Sequence, residues 1–322
     1  MKSVKTLLAV AVGIGAAHAA FAANLPGPLV TPQWLKAHMN EVQVVTIGDG
    51  VAKMFSAQPQ MKGSTVVKVG GHVPGSLMVD FGDIRQARVE NGVKLKALLP
   101  TAEFFTAAMD KAGLDSGKPI VIVPEGEGLA PMDMGTRLYF QLRYFGEPAS
   151  QVALLNGGTA AWLHAGYQVD TGAAPGAAGS WKAGKEDGAI LATLAEVQHA
   201  VHDGSRQFID ARPTPQYLGI VRKPIDKSAG HLPGAKSFPT DSIVSTKDGV
   251  TEFMSAPDYK AIFKAYGISH SMPTTTYCNT GHLASGAWFV VHEILGNRDS
   301  KLYANSMNEW TNLGNPTVGL PG

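Results

Sequence analysis

A single cysteine, Cys278, is the residue of this sequence whose setting best suits nucleophilic chemistry. The pattern predicts a strand over residues 274–277, a turn over 279–283 and a helix over 284–295. A thiol on such a turn lies at the carboxyl end of a parallel strand, where open α/β sheets bind ligands. The turn's backbone N–H groups and the helix N-terminus are expected to stabilise a thiolate or persulfide and to lower the thiol pKa.

Four other uses of Cys278 compete with this interpretation. A buried structural cysteine would also follow an apolar strand. Tyrosine-phosphatase chemistry requires an arginine six residues after the cysteine to clamp phosphate, and Ala284 stands there. A cysteine protease requires a base, and neither His231 nor His282 has a suitable sequence context. A metal shared by Cys278 and His282 lacks a third nearby ligand, so no metal and no cofactor are predicted.

Short apolar runs alternate with helical patterns on both sides of the sequence midpoint. Strands are predicted over residues 42–47, 119–123, 152–155, 207–210, 274–277 and 301–303. Helices are predicted over residues 102–112, 136–144, 194–202, 256–266 and 284–295. This alternation predicts α/β domains, each with a mainly parallel sheet flanked by helices.

The composition limits the functions available to the chain. Its 322 residues suggest about two domains. Hydrophobic residues make up 44% and charged residues 16%, which excludes a disordered chain, a coiled coil and a polytopic membrane protein. The formal net charge of +1 provides no strong field to attract nucleic acid or an anionic membrane. One cysteine cannot form an intrachain disulfide.

Two pairs of similar segments indicate that the chain repeats once. Residues 71–76, GHVPGS, resemble residues 230–235, GHLPGA, and the run ending at Trp162 resembles the run ending at Trp310. Such a long spacing indicates two similar domains. We expect domain 1 over residues 23–170, without a cysteine, and a catalytic domain 2 over 189–322. A linker over 171–188 is expected to pack in part through Trp181.

The first residues have the pattern of a secretory signal peptide. Lys2 and Lys5 precede an apolar stretch, and Ala20-Phe21-Ala22 forms an A-x-A cleavage site. The apolar stretch is short for a membrane span, which needs about 20 residues. We therefore expect cleavage after residue 22 and an exported, periplasmic protein without a membrane anchor. An unpaired thiol in an oxidising compartment is either buried and inert or retained for its chemistry.

Taken together, these motifs resemble those of the tandem-domain rhodanese-type sulfurtransferases, which include thiosulfate and mercaptopyruvate sulfurtransferases. The resemblance rests on both G-H-x-P-G motifs, the cysteine loop, the D-x-R element at 210–212 and the closing SMNEW at 306–310. It covers nearly the whole mature chain. It implies two rhodanese-like domains, the first without the nucleophile. In that domain, residues 124–134 occupy the equivalent loop and carry Glu125 and Glu127.

The resemblance implies sulfur transfer through a persulfide on Cys278. A small donor of the thiosulfate or mercaptopyruvate type would load the sulfur, and cyanide, a thiol or a protein thiol would accept it. Asp210 and His231 are expected to support the site structurally, and Arg212 is expected to hydrogen-bond Asp210 or to contact the donor. The full set of expected substrate contacts is Asn279, Thr280, Gly281, His282, Leu283, Arg212 and Arg222.

Two departures from the family pattern leave the donor and the acceptor open. The loop after Cys278 is neutral where thiosulfate-specific relatives carry basic residues, and Gln216 stands where they carry an arginine. Arg222, Lys223 and Lys227 could supply the missing charge or form an exposed basic loop. These departures sustain an alternative, a non-enzymatic sulfane-sulfur carrier that a protein partner loads.

Overall fold

The computed structural model describes residues 25–172 and 176–320. The predicted signal peptide lies outside the described residues. The strands are β1 (Leu29–Val30), β2 (Gln43–Gly48), β3 (Gln60–Lys62), β4 (Thr65–Lys68), β5 (Leu77–Asp80), β6 (Gln86–Glu90), β7 (Val93–Leu98), β8 (Ile120–Val123), β9 (Val152–Leu155), β10 (Gln207–Asp210), β11 (Lys236–Ser237), β12 (Ser245–Lys247), β13 (Val250–Glu252), β14 (Thr274–Tyr277) and β15 (Ser300–Leu302).

Helices connect these strands. They are α1 (Pro32–His38), α2 (Val51–Ser56), α3 (Ala102–Ala112), α4 (Leu129–Tyr144), α5 (Gly158–His164), α6 (Leu194–Asp203), α7 (Thr214–Tyr217), α8 (Ala256–Ala265), α9 (His282–Phe289) and α10 (Ser306–Asn312). Short 3₁₀ turns cover Phe81–Ile84, Ala149–Gln151 and Thr240–Ser242. Within the described ranges, no helix has the length and apolar character needed to cross a bilayer.

Each half of the chain forms a parallel sheet, and the two sheets share one strand order. The first has the order β1-β9-β8-β2-β5, and the second has β11-β10-β14-β15. Thus β2 and β8 of the first sheet correspond to β10 and β14 of the second. A single parallel bridge from Leu191 to Leu302 takes the place of the β1–β9 pairing. The repeated, mainly parallel α/β architecture predicted from the sequence is confirmed.

Antiparallel hairpins, which the sequence patterns did not predict, extend each domain towards the other. Hairpin β6–β7 of the first domain packs on α10 of the second, and β13 of hairpin β12–β13 packs on α5 of the first. Asn308 Nδ2 donates to the Lys96 carbonyl at 3.0 Å, and Asn156 Nδ2 donates to the Phe253 carbonyl at 3.1 Å. Each domain therefore contacts the other through an antiparallel hairpin, β6–β7 in the first domain and β12–β13 in the second.

Helices α4 and α9 form the centre of the contact between the domains. Phe140 and Trp288 meet edge to face with ring centroids 4.9 Å apart, and Tyr139 meets Phe289 in the same way at 5.0 Å. These aromatic side chains are fully buried, so the interface continues the hydrophobic cores of both domains. Polar groups lie within it as well, because the Thr136 and Ser285 hydroxyls are 2.9 Å apart.

The segment between the domains is anchored to the first domain. Trp181 is fully buried, lies edge to face with Phe105 at 5.2 Å and donates to Glu147 Oε1 at 2.7 Å. Its backbone N–H donates to the Leu114 carbonyl at 2.9 Å. The linker therefore packs in part through Trp181, as expected, while most of its other described residues are exposed.

Several predicted bounds are found unchanged, and two helices begin earlier than predicted. The strands over 152–155, 207–210 and 274–277 and the helix over 102–112 agree with the structure. Helix α4 begins at Leu129, not at residue 136, because Pro131 falls in its first turn, where a missing N–H costs little. Helix α9 begins at His282, not at 284, and continues as a π-helical turn over Val290–Ile294.

Candidate active site around Cys278

Cys278 follows the last residue of β14, between the ends of β10 and β15. Gly281 is the N-cap of α9 with φ of 77°, a left-handed conformation that favours glycine. A Cβ at Gly281 would lie 2.4 Å from the Ala304 carbonyl oxygen and 2.5 Å from Arg137 Nη1. The sequence therefore makes a tight strand-to-helix loop that admits no side chain at this position.

The closing motif over residues 306–310 holds the loop from the β15 side. The backbone N–H of Cys278 donates to Ser306 Oγ at 3.0 Å. The N–H groups of Met307 and Asn308 donate to the carbonyls of Cys278 and Asn279 at 3.1 and 3.0 Å. Ser306 itself has φ of 53°, an uncommon value for a serine, and its Oγ also donates to the Tyr303 carbonyl at 2.7 Å. The start of α10 thus supports the thiol-bearing loop.

The thiol is buried, and burial raises the pKa of Cys278 above its usual value. The N–H groups of Ala284, Thr280 and Gly281 act in the opposite direction, and the charge of Asp210 raises the pKa further. The predicted lowering of the thiol pKa is therefore wrong. Burial of the thiolate away from water destabilises it by more than the loop N–H groups stabilise it.

Arg212 does not fit its predicted role as a substrate contact. Its guanidinium is 1% exposed and donates to the Asp210 carboxylate at 2.6 Å and to the Gly230 carbonyl at 2.8 Å. Burial lowers the pKa of Arg212, but the hydrogen bond and charge of Asp210 more than compensate and raise it. Arg212 therefore ties the end of β10 to the second G-H-x-P-G turn, as the structural interpretation expects.

The two motif histidines brace equivalent turns. His231 stacks on Tyr217 with ring centroids 3.8 Å apart, and its Nδ1 lies 2.7 Å from the Tyr217 carbonyl oxygen. His72 stacks on Phe55 at 3.9 Å in the first domain. Both backbones form isolated antiparallel bridges, to Val318 and to Asp170 respectively. These contacts are structural and lie in both domains, although only one domain has the nucleophile.

The predicted loop contacts point in different directions. Asn279 Nδ2 donates to Gln216 Oε1 at 2.9 Å, so the residue that replaces the family arginine contacts the loop through a neutral amide. Thr280 and Leu283 are half-buried. His282 is the first residue of α9, not a loop residue, and its ring faces the first domain. It lies 4.5 Å from the Phe81 ring, and its Nε2 lies 3.0 Å from the Ala130 carbonyl oxygen.

The basic segment after Gln216 is exposed. Arg222 Nη1 donates to the Asp226 carbonyl at 2.6 Å. Lys223 and Lys227 line a cavity of about 490 Å³ that includes Lys94 and Lys96 from hairpin β6–β7. We call this the lysine cavity; its other lining residues are Pro224, Ile225, Asn308 and Asn312. Among the described residues that line it none is acidic, so both domains contribute to a region of positive charge next to α10.

Two arginines of the first domain reach the site, and the sequence interpretation missed both. Arg137 on α4 is 1% exposed, and its Nη1 donates to the Gly281 carbonyl at 3.2 Å. Arg85 lies with its guanidinium carbon 4.0 Å from the Phe81 ring centroid. Burial, together with the charges of Arg85 and Arg137, lowers the pKa of His282 to about 4. No local motif marks these arginines, because their role depends on the contact between the domains.

The equivalent loop of the first domain packs closely against the start of α5. A Cβ at Gly158 would lie 2.0 Å from the Pro124 carbonyl oxygen. Burial and the charge of Glu127 raise the pKa of Glu125 in this loop. Thr251 of β13 closes it from the second domain, since its N–H donates to the Gly126 carbonyl at 2.9 Å. Across the described ranges, no group of three or more His, Cys, Asp and Glu side chains could hold a metal ion.

Comparisons with known proteins agree with this geometry. Residues 193–313 match the Rhodanese-like domain family. The chain is 27% identical over 282 residues to 3-mercaptopyruvate sulfurtransferase of Escherichia coli K12, covering 87% of this chain and 94% of that protein. It is 25% identical to sulfur carrier protein TtuD of Thermus thermophilus, covering 92% and 96%. The crystal structure of SseA from Escherichia coli superposes with a TM-score of 0.69 at 23% identity, covering 87% and 98%.

Proposed function

We propose that the chain, a tandem-domain rhodanese-type protein similar over most of its length to named sulfurtransferases, transfers sulfane sulfur through a persulfide on Cys278. One observation carries the proposal. Cys278 is the only cysteine, and it lies in a loop where the N–H groups of Thr280, Gly281 and Ala284 favour its anionic form. Such a loop stabilises negative charge on sulfur as oxyanion holes do on oxygen.

The proposed reaction is a double displacement. The Cys278 thiolate attacks the outer sulfur of thiosulfate, a sulfur–sulfur bond forms, and sulfite leaves with the electron pair of the bond that breaks. The terminal sulfur of the persulfide then forms a bond to cyanide or a thiolate, and the Cys278 thiolate leaves. No external oxidant or reductant is needed, and ping-pong kinetics follow. With mercaptopyruvate, the leaving group is the pyruvate carbanion, which takes up a proton.

The predicted export signal also suggests where the protein acts. We assign sulfur transfer to the periplasm, where a thiol buried in its loop is protected from random oxidation. The buried position of Cys278 supports this assignment, because exposure and thiolate character together determine how fast a cysteine oxidises.

Intact-mass measurement tests the proposal. The mature protein is mixed separately with thiosulfate and with mercaptopyruvate, next to a Cys278→Ser control. We expect a gain of about 32 Da that cyanide removes as thiocyanate and that the control lacks. No gain with either donor, on a thiol shown by denatured titration to be free, would exclude the small-donor enzyme.

The lysine cavity favours a second candidate function, a sulfur carrier that a protein partner loads. Its four lysines and lack of an acidic lining residue suit an acidic segment of such a partner. Similarity to a protein named as a sulfur carrier supports the same candidate. Steady turnover of free donor and cyanide favours the enzyme. Loading only from a persulfidated protein, lost when Lys96 and Lys223 are both changed to glutamate, favours the carrier.

A further inference from the structure

We propose that Arg137 of the first domain is the charge partner of the anionic sulfur at position 278, and therefore the positioning residue through which the first domain acts on the nucleophile. The role of Arg137 towards a Cys278 persulfide rests on the proposed function. Its role towards the Cys278 thiolate does not. Arg137 lies on α4, and the loop it contacts belongs to the other domain.

The first argument is that Arg137 is buried with an incomplete set of partners. Its Nη1 donates to the Gly281 carbonyl, whereas its Nη2 is buried and has no hydrogen-bond partner among the described residues. Asp133, one turn earlier on α4, does not neutralise it, since both Asp133 carboxylate oxygens are also unpartnered. A buried cation without a counter-ion is strongly unfavourable. The arrangement therefore favours an anion that arrives during the reaction.

The second argument identifies that anion. Burial lowers the pKa of Arg137 to about 10, and the charge of Cys278 opposes this shift. The Cys278 thiol is the group next to Arg137 that becomes negative in the proposed reaction. Arg137 Nη1 lies so close to Gly281 that a Cβ at this glycine would be only 2.5 Å from it. The guanidinium thus packs directly against the loop whose N–H groups face the sulfur.

The remaining charges near the sulfur cannot take this role. Asp210 lies on β10, repels an anion at position 278, and is already paired with Arg212. His282 at the start of α9 is neutral near neutral pH, because its pKa is lowered to about 4. Arg85 lies farther out against Phe81, with its pKa lowered by burial and raised by Asp49 and Asp80. The loop itself is neutral, so the cation comes from the first domain.

Thiol titration in the absence of any donor tests the inference. The alkylation rate of Cys278 by iodoacetamide is measured against pH in the full chain and in Arg137→Gln. We expect the apparent thiol pKa, taken from the midpoint of the pH profile and not from the absolute rate, to rise by about one unit. Arg143→Gln is the matched control, because Arg143 lies on the same helix and pairs with Glu293 at 3.2 Å instead of contacting the loop.

Arg137→Lys distinguishes the effect of the charge from that of the guanidinium geometry. Its thiol pKa also tests the inference if Arg137→Gln does not fold. Lysine keeps the charge but loses the guanidinium fork, so we expect a thiol pKa near that of the unchanged chain. A full upward shift in Arg137→Lys, or no shift in folded Arg137→Gln, would overturn the inference. Because no sulfur donor is present, failure of persulfide formation in the mass experiment leaves this result unaffected.

Discussion

At the scale of single residues, Asp210 and Arg212 show how a family motif supports a site without entering it. Both side chains are buried, and together they join the end of β10 to the turn that contains His231. The D-x-R spacing places the two charges within reach of each other, so this pair was foreseeable from sequence. Arg137 was not, because nothing near it in sequence indicates that Gly281 would lie against it.

Replacement of Arg212 by methionine tests this structural role. We expect a loss of about 3–5 kcal/mol in the free energy of unfolding, because Asp210 would remain buried without its partner. Urea denaturation measures the loss, and the exposed Arg222→Met is the control, expected within about 0.5 kcal/mol of the unchanged chain. Unchanged stability together with a raised KM for the donor would instead mean that Arg212 contacts the substrate.

At the scale of helices, α4 and α9 show what the sequence could and could not predict. Apolar spacing predicted most of both helices. The start of each was missed, because Pro131 in the first turn of α4 and the N-cap glycines Gly128 and Gly281 resemble loop residues. The crossing itself depends on Gly286, where a Cβ would lie 2.0 Å from Asp133 Oδ1. This close contact joins residues that are far apart in sequence. The apolar spacing within one helix therefore could not predict it.

Asp133 makes the crossing of α4 and α9 sensitive to pH. Burial raises the pKa of Asp133 well above its usual value, so the folded chain holds this proton where the unfolded chain releases it. Stability from Asp133 is therefore present at low pH and falls as pH rises between the unfolded and folded pKa values, by about 1.4 kcal/mol per pH unit. Asp133→Asn should flatten this part of the profile in urea denaturation, whereas the exposed Asp241→Asn should not. A steeper profile in Asp133→Asn would contradict the assignment.

At the scale of the whole molecule, Cys278 is 1% exposed, so a reagent reaches its thiol only when the structure around the loop opens. Hairpin β6–β7 crosses from the first domain onto α10, whose first residues hold the Cys278 loop. Asn305 Nδ2 also donates to Glu90 Oε2 of this hairpin at 3.0 Å. The first domain, which has no nucleophile, therefore covers the site and places Arg137 against the loop. The internal repeat predicted two domains, but not that each would cover the other.

Asn308 and Asn156 each bond to the backbone of the opposite domain, which allows this covering role to be tested with an internal control. Asn308→Ala removes the side-chain bond to the Lys96 carbonyl while its backbone N–H can still donate to Asn279. Loss of one hydrogen bond of about 1 kcal/mol should raise the opening equilibrium, and the alkylation rate of Cys278, about fivefold. Asn156→Ala removes bonds to both the N–H and the carbonyl of Phe253, on the side that covers the loop without a cysteine. It should leave the alkylation rate unchanged even though it breaks more bonds. Equal acceleration in both variants would mean that the two domains separate as a whole, and that hairpin β6–β7 is not the element that controls access to the sulfur.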